Sequence, residues 1–114
     1  MNFKWSVYLA DLNPVIGSEQ QGKRPVLVIS DETFNTIMPV VSVLPITSLK
    51  KGRRVYPNEA LLKMGIGGLD VDSLVLAHQI RTIAKQRLQA FLGNIESTAL
   101  QNTINEALRV HLNL

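Results

Sequence analysis

The run Pro-Val-Leu-Val-Ile at residues 25–29 constrains the fold more than any other stretch of the chain. It is short, unbroken and rich in β-branched residues, the pattern of a strand buried on both faces. Such a strand needs neighbours on either side and cover above and below, so the chain must be built around a sheet. Before it lies a polar loop, residues 16–24, punctuated by Gly17 and Gly22 and carrying Ser18, Glu19, Gln20, Lys23 and Arg24. Arg24 stands where loop becomes strand. A stiff element there would hold a guanidinium at the edge of a mobile one, the arrangement in which sites are commonly built.

The flanking segments carry the same signal. Residues 5–10 alternate Trp5, Val7 and Leu9 against Ser6, Tyr8 and Ala10, which predicts a half-buried strand. Residues 11–24 form a long loop containing Asn13-Pro14, a length that usually means function. Ser30-Asp31-Glu32 caps one short helical turn that must end before Pro39. Further strands are predicted at 40–46 and, weaker and at an edge because of Pro57, at 55–62. Gly65, Gly67 and Gly68 mark a turn. Residues 73–77 and 80–83 read as one nearly continuous strand around His78 and Gln79, 85–89 as a helical turn, and 91–95 as a last strand.

From Ser97 the period changes. Leu100, Ile104, Ala107, Leu108 and His111 fall on one face, opposite Gln101, Asn105 and Arg109, so an amphipathic helix starts near Glu96 or Ser97. The fold class is mainly β (α+β): a small barrel or twisted antiparallel sheet with short helices and a C-terminal amphipathic helix. With 114 residues, the chain reads as a single domain, 1–114. Hydrophobic content of 46% with 18% charged residues excludes a disordered chain.

The absence of cysteine excludes disulfides, thiolate metal sites and thiol nucleophiles, and fits a reducing cytoplasm. No apolar run is long enough to span a membrane, and the N-terminus, lacking an apolar signal core, reads as mature protein. The net charge of +3 and a sequence pI near 9.5 give a modest positive field that would assist a polyanionic partner.

No metal-ligand constellation is visible: His78 and His111 are far apart in sequence, without regular carboxylate spacing. The Gly-Ile-Gly-Gly stretch at 65–68 precedes a strand and so is no dinucleotide or phosphate loop. What remains is a set of polar residues at strand–loop junctions: Ser18, Glu19, Arg24, Thr47, Ser48, His78 and Gln79. Arg24 could bind a phosphate bidentately and stabilise a pentacoordinate oxyanion, or simply pair with Glu19 or Asp11. Thr47 could donate a hydrogen bond to the same phosphate or serve an ordinary turn. Lys50, Lys51, Arg53 and Arg54 could hold a nucleic-acid backbone or form a solvated loop. Trp5 and Tyr8 could stack bases, or Trp5 could fill the core, and His78 could accept a proton near neutral pH or serve as a hydrogen-bonded structural residue. From the residues alone, the set describes a phosphate-handling surface.

Six blocks then fall in one order and spacing: Val-Tyr-Leu-Ala-Asp-Leu at 7–12, Gly-Ser-Glu-Gln at 17–20, Arg-Pro-Val-Leu-Val-Ile at 24–29, Pro-Ile-Thr at 45–47, Asp72-Ser73, and Gln-Ile-Arg-Thr-Ile at 79–83. In these the chain resembles the MazF/PemK toxin family of toxin–antitoxin systems. The resemblance implies an SH3-like barrel with appended helices, a symmetric homodimer, and a metal-independent endoribonuclease that needs no cofactor. Its substrate would be single-stranded RNA, and its partner an antitoxin whose acidic tail lies across the RNA site. Attack by the RNA's own 2′-hydroxyl would give a cyclic phosphate and a free 5′-hydroxyl.

By position, the resemblance assigns catalysis to Arg24 and Thr47, with His78 as a candidate proton acceptor. It assigns RNA contact to Ser18, Glu19 and Gln79, and the neighbouring Gln20, Lys23, Ser48, Lys50, Lys51 and Arg53 extend that surface. The chain departs from the family at His78, where Asp or Glu is frequent, at Trp5-Ser6, where Gly-Asp is frequent, and at Gln21, where a small residue is common. Competing readings are a non-catalytic poison of the same fold that binds a protein such as DNA gyrase, and a catalytically decayed RNA-binding regulator. The C-terminal His-Leu-Asn-Leu at 111–114 lacks the ending associated with the former.

Overall fold

The structure, a computed structural model, describes residues 2–114. In chain order the elements are β1 (Ser6–Asp11), β2 (Lys23–Val28), α1 (Glu32–Ile37), β3 (Val40–Ser48), β4 (Glu59–Leu62), β5 (Ser73–Leu76), β6 (Arg81–Ala84), β7 (Leu88–Asn94) and α2 (Thr98–Leu112). The seven strands form one antiparallel sheet in the order β4-β5-β3-β2-β1-β7, with β6 also paired to β3. β2 lies between β1 and β3, the interior position that its unbroken apolar run requires.

β3 organises the bend. One edge pairs with β2, while the other is shared: β6 takes Val40–Val43 and β5 takes Ile46–Ser48. The continuous strand expected across 73–83 is therefore broken. A 3-10 turn at Ala77–Gln79 lets the chain leave one half of β3 and join the other. In such a turn successive side chains lie about 120° apart, so His78 and Gln79 do not point to opposite faces as they would in a strand. β6 and β7, at opposite ends of the five-strand part, are joined by only the turn Lys85–Arg87, which curls β6-β3-β2-β1-β7 round on itself.

Alternation along the central strands feeds two cores. Leu27, Leu44 and Ile46 join Val75, Leu62 and α2's Ile104 and Ala107 on one face. Val26, Val28, Val41 and Val43 join Ala10, Leu12 and Ile83 on the other. α2 begins where Ser97 Oγ accepts from the Leu100 N–H at 3.3 Å. Its apolar stripe runs as expected, with Ile104 and Ala107 buried and Leu100 and Leu108 half-buried, while His111 is exposed.

Other boundaries differ for local reasons. β1 starts at Ser6 because Trp5 has φ +68°, a left-handed backbone that no strand continues. That conformation is natural to glycine, so the Trp5 departure places a bulky side chain on a glycine-type position, its ring half-buried against the first core. The expected strand 55–62 is only Glu59–Leu62: Pro57 and a turn with Glu59 N–H on Tyr56 C=O precede it, and β4 is at the sheet edge as expected. The last strand begins three residues early, at Leu88. Among the described residues no helix is long and apolar enough to cross a membrane.

Candidate RNA-cleaving site

The β2–β3 ladder stops at Val26↔Pro45. Pro25 has no N–H to donate to β3, so the ladder cannot continue through it. Continuing the register by two residues on each strand would set Arg24 opposite Thr47. Beyond the stop, β3 has already turned to β5, and the gap between β2 and β5 opens as a cleft of about 420 Å³. Lys23, Arg24, Thr47, Ser48, Asp70 and Ser73 line it. Two residues 23 positions apart in sequence, both expected to act on phosphate, are thus brought to one site.

Arg24 lies within β2 and is half-buried. Its Nε donates to the Gln21 carbonyl at 2.9 Å, which orients the fork and leaves the two terminal nitrogens unpaired. Among the described residues it makes no ion pair, so neither Glu19 nor Asp11 claims it. A fixed, unpaired guanidinium in an open cleft is suited to accept a phosphate bidentately.

The loop 12–22 is tied down at several points. Leu12 N–H donates to Gly22 C=O at 2.9 Å, and Gly22 N–H to Asn13 Oδ1 at 3.1 Å. Arg81 and Arg87 donate to the carbonyls of Leu12 and Asp11 at 3.1 and 3.2 Å. Further out, Gln79 Oε1 accepts from Gln20 N–H at 2.7 Å while its amide nitrogen lies 3.4 Å from Ser18 C=O. Gln79 therefore latches the loop to the turn Ala77–Gln79. Glu19 accepts from Ile16 N–H at 2.8 Å and shapes the loop's outer bend.

His78 does not line the Arg24–Thr47 cleft. It borders a smaller one of about 190 Å³ with Glu19, Gln20, Gln79, Ile80 and Arg81. Its Nε2 lies 3.2 Å from Glu59 Oε2. Glu59 is buried, and Arg53 grips it with both terminal nitrogens at 3.0 and 2.7 Å. Burial works to raise the Glu59 pKa, but Arg53, the Tyr56 N–H and His78 outweigh it and lower it to about 2. An ionised carboxylate only accepts, so in this contact His78 Nε2 is the donor.

Lys50 and Lys51 are exposed on the basic loop, whose Arg53 is engaged with Glu59 and whose Arg53 and Arg54 guanidiniums lie 5.8 and 5.2 Å from the Tyr56 ring. Sequence reasoning passed over both Glu59 and Asp70. Asp70 had one signal: it follows the glycine turn at 65–68, where Gly68 and Gly93 have no room for a Cβ, so what comes next is rigidly placed.

Together these features define a class: a small curved-sheet protein with an open cationic cleft fit for the phosphate of an extended polyanion. The profile described as the PemK-like, MazF-like toxin of type II toxin–antitoxin systems matches residues 4–112, and the chain belongs to that family. It is 39% identical over 109 residues to endoribonuclease EndoA of Bacillus subtilis (strain 168), covering 95% of this chain and 91% of that protein. Endoribonuclease MazF of Staphylococcus saprophyticus is also 39% identical, over 108 residues, with 92% and 89% covered. Among solved structures, MazF from Deinococcus radiodurans superposes with a TM-score of 0.80 at 27% identity, covering 97% of this chain and 96% of that one. An endoribonuclease in complex with its cognate antitoxin, from a mycobacterial species, gives 0.80 at 26% identity over 100% and 97%.

Proposed function

We propose that the chain is a toxin endoribonuclease that cleaves single-stranded RNA without a metal or other cofactor, acting as one domain, 1–114, in the cytoplasm. The observation that carries this is the unpaired Arg24 guanidinium sharing a cleft with Thr47. The 2′-hydroxyl of the RNA attacks the adjacent phosphorus, giving a cyclic phosphate and a 5′-hydroxyl end. Arg24 neutralises charge gathering on the phosphoryl oxygens, and Thr47 fixes their orientation with its hydroxyl. Lys23 and Ser48 line the same cleft, and the Lys50–Lys51 run leaves it directly after β3, so the RNA backbone tracks from β2 over the basic loop. Ser18, Glu19, Gln20 and Gln79 shape the loop that covers the RNA; Arg53 and His78 act from behind, through Glu59.

The neighbour bound to its cognate antitoxin supports an antitoxin as partner; the cations of the cleft favour an acidic one, and a homodimer is the working form that the family resemblance implies. An acidic segment would lie across the same cations and exclude RNA. Purified protein incubated with RNA in EDTA is expected to cut it, leaving 5′-hydroxyl ends. Arg24→Ala is expected to lose about two to three orders of magnitude in rate. Cutting that EDTA abolishes, or an Arg24→Ala variant of full activity, refutes the assignment.

A further inference from the structure

The cleavage proposed above leaves one proton without an acceptor, that of the attacking 2′-hydroxyl. Arginine cannot take it, because a guanidinium stays protonated beyond about pH 12. His78 borders another cleft and turns a hydrogen-bearing nitrogen to Glu59. Of the nine acidic residues, Asp70 alone lines the cleft with Arg24 and Thr47. The nearby acids are engaged elsewhere: Glu19 with the Ile16 N–H, Asp72 with the Met64 N–H and with Lys63 at 3.8 Å. Asp70 is exposed and, among the described residues, neither hydrogen-bonded nor ion-paired.

Its backbone is nonetheless fixed. Leu69 beside it is buried, its carbonyl accepts from Gly65 N–H at 2.7 Å, and its N–H donates to Ile66 C=O at 3.2 Å. The turn Ile66–Gly68 abuts β7 so closely that a Cβ on Gly68 would lie 2.0 Å from the Leu92 carbonyl oxygen. An acid without a partner among the described residues, set beside a rigid turn and lining the cleft of Arg24, is placed as a general base can be.

We propose that Asp70 is the catalytic base of this cleft, an inference that rests on the endoribonuclease reading. Its carboxylate takes the 2′-hydroxyl proton as the O2′–P bond forms and the P–O5′ bond breaks. The leaving oxygen takes a proton from water, and Asp70 returns its own to solvent, so no net proton is consumed. The charged groups around it are Lys23 and Arg24 from β2 and the Lys63–Asp72 pair flanking its own turn. Thr47, Ser48 and Ser73 bring no charge.

The test compares wild type, Asp70→Asn and Asp70→Glu on an RNA whose cleavage site has been mapped with the wild-type protein. Single-turnover rates are measured across pH, and binding is measured on the same RNA carrying a 2′-deoxy nucleotide at that site. Asp70→Asn is expected to slow the chemical step by about a hundredfold or more, with the acid limb of the pH profile lost. Binding should stay equal or tighten, because a negative charge leaves a cleft that holds phosphate. Asp70→Glu should restore part of the rate. An Asn variant within about threefold of wild type overturns the assignment, as does a loss of binding that accounts for the whole loss of rate. If the wild-type protein cuts no RNA, the endoribonuclease reading itself fails, a result distinct from either.

Discussion

Glu59 offers a prediction whose size and sign can both be worked out. Its carboxyl has a reference pKa of 4.5 and sits at about 2 in the fold. A gap of about 2.5 pH units corresponds to roughly 3 kcal/mol of linked stability. Because the Arg53 side chain is 34% exposed, water screens part of the attraction, and about 2 kcal/mol is the better figure. The pKa is depressed in the fold, so the unfolded chain takes up the proton first. The contribution is therefore complete above about pH 5 and is lost as pH falls through 4.5 towards 2. Glu59→Gln keeps the shape but has no proton to bind, so the variant should be about 2 kcal/mol less stable near neutral pH. The two stability curves should converge as the pH approaches 2. Urea unfolding followed by the fluorescence of Trp5, the sole tryptophan, reads this at fixed protein concentration. A constant offset between the curves from neutral pH down to about pH 2.5 would refute the claim that the ionised carboxylate is what binds Arg53, Tyr56 and His78.

Two further outcomes test the frame of the site. Gly68→Ala forces a Cβ to 2.0 Å from the Leu92 carbonyl at φ +74°, whereas Gly17→Ala adds one in open space at φ +61°. The first should cost several kcal/mol and the second about 1, read as a large and a small drop in melting temperature; equal drops would contradict the packing of the turn on β7. Gln79→Ala removes the acceptor of the Gln20 N–H, so that amide should exchange with solvent about fivefold faster while the amides of β2 do not change. Hydrogen exchange measured residue by residue decides it, and unchanged protection at Gln20 would show that the latch does not hold the loop.

The fold was largely legible because periodicity reports burial. Residues 25–29 read as a two-faced strand and became the interior strand β2, and the stripe from Leu100 to Leu108 gave α2. The errors lay where backbone geometry overrides side-chain pattern. An apolar run from Ser73 to Ile83 reads as one strand, since nothing in its composition says that two partners must share one edge of β3. Trp5 looks like the first residue of an alternating strand, yet it occupies a left-handed turn whose N–H and C=O are held by Val28 and Ile95 at 2.9 and 2.8 Å. In the site, Arg24 and Thr47 were legible as types of residue, and the resemblance made them legible as a pair. Glu59 was not, because a lone acid in a weak edge strand gives no sign that Arg53 and His78 will close on it from both sides.

The cleft arises where regular structure gives out, which is why its members are scattered along the chain. A proline, Pro25, ends the β2–β3 ladder, and the stretch of β2 beyond it carries Arg24. The opposite strand, already bent towards β5, presents Thr47 at the same level. A glycine turn pressed against β7 then delivers Asp70 to the opening from a third direction. Two of these devices are missing features, an absent N–H and an absent Cβ, and each lies within two residues of the polar residue it places. Pro25 follows Arg24, and Gly68 lies two before Asp70. On this logic a polar residue adjoining a backbone exception in such a fold is the better candidate for chemistry. A buried polar residue whose oxygens are already claimed, as those of Glu59 are by Arg53 and His78, is the better candidate for holding that chemistry in place.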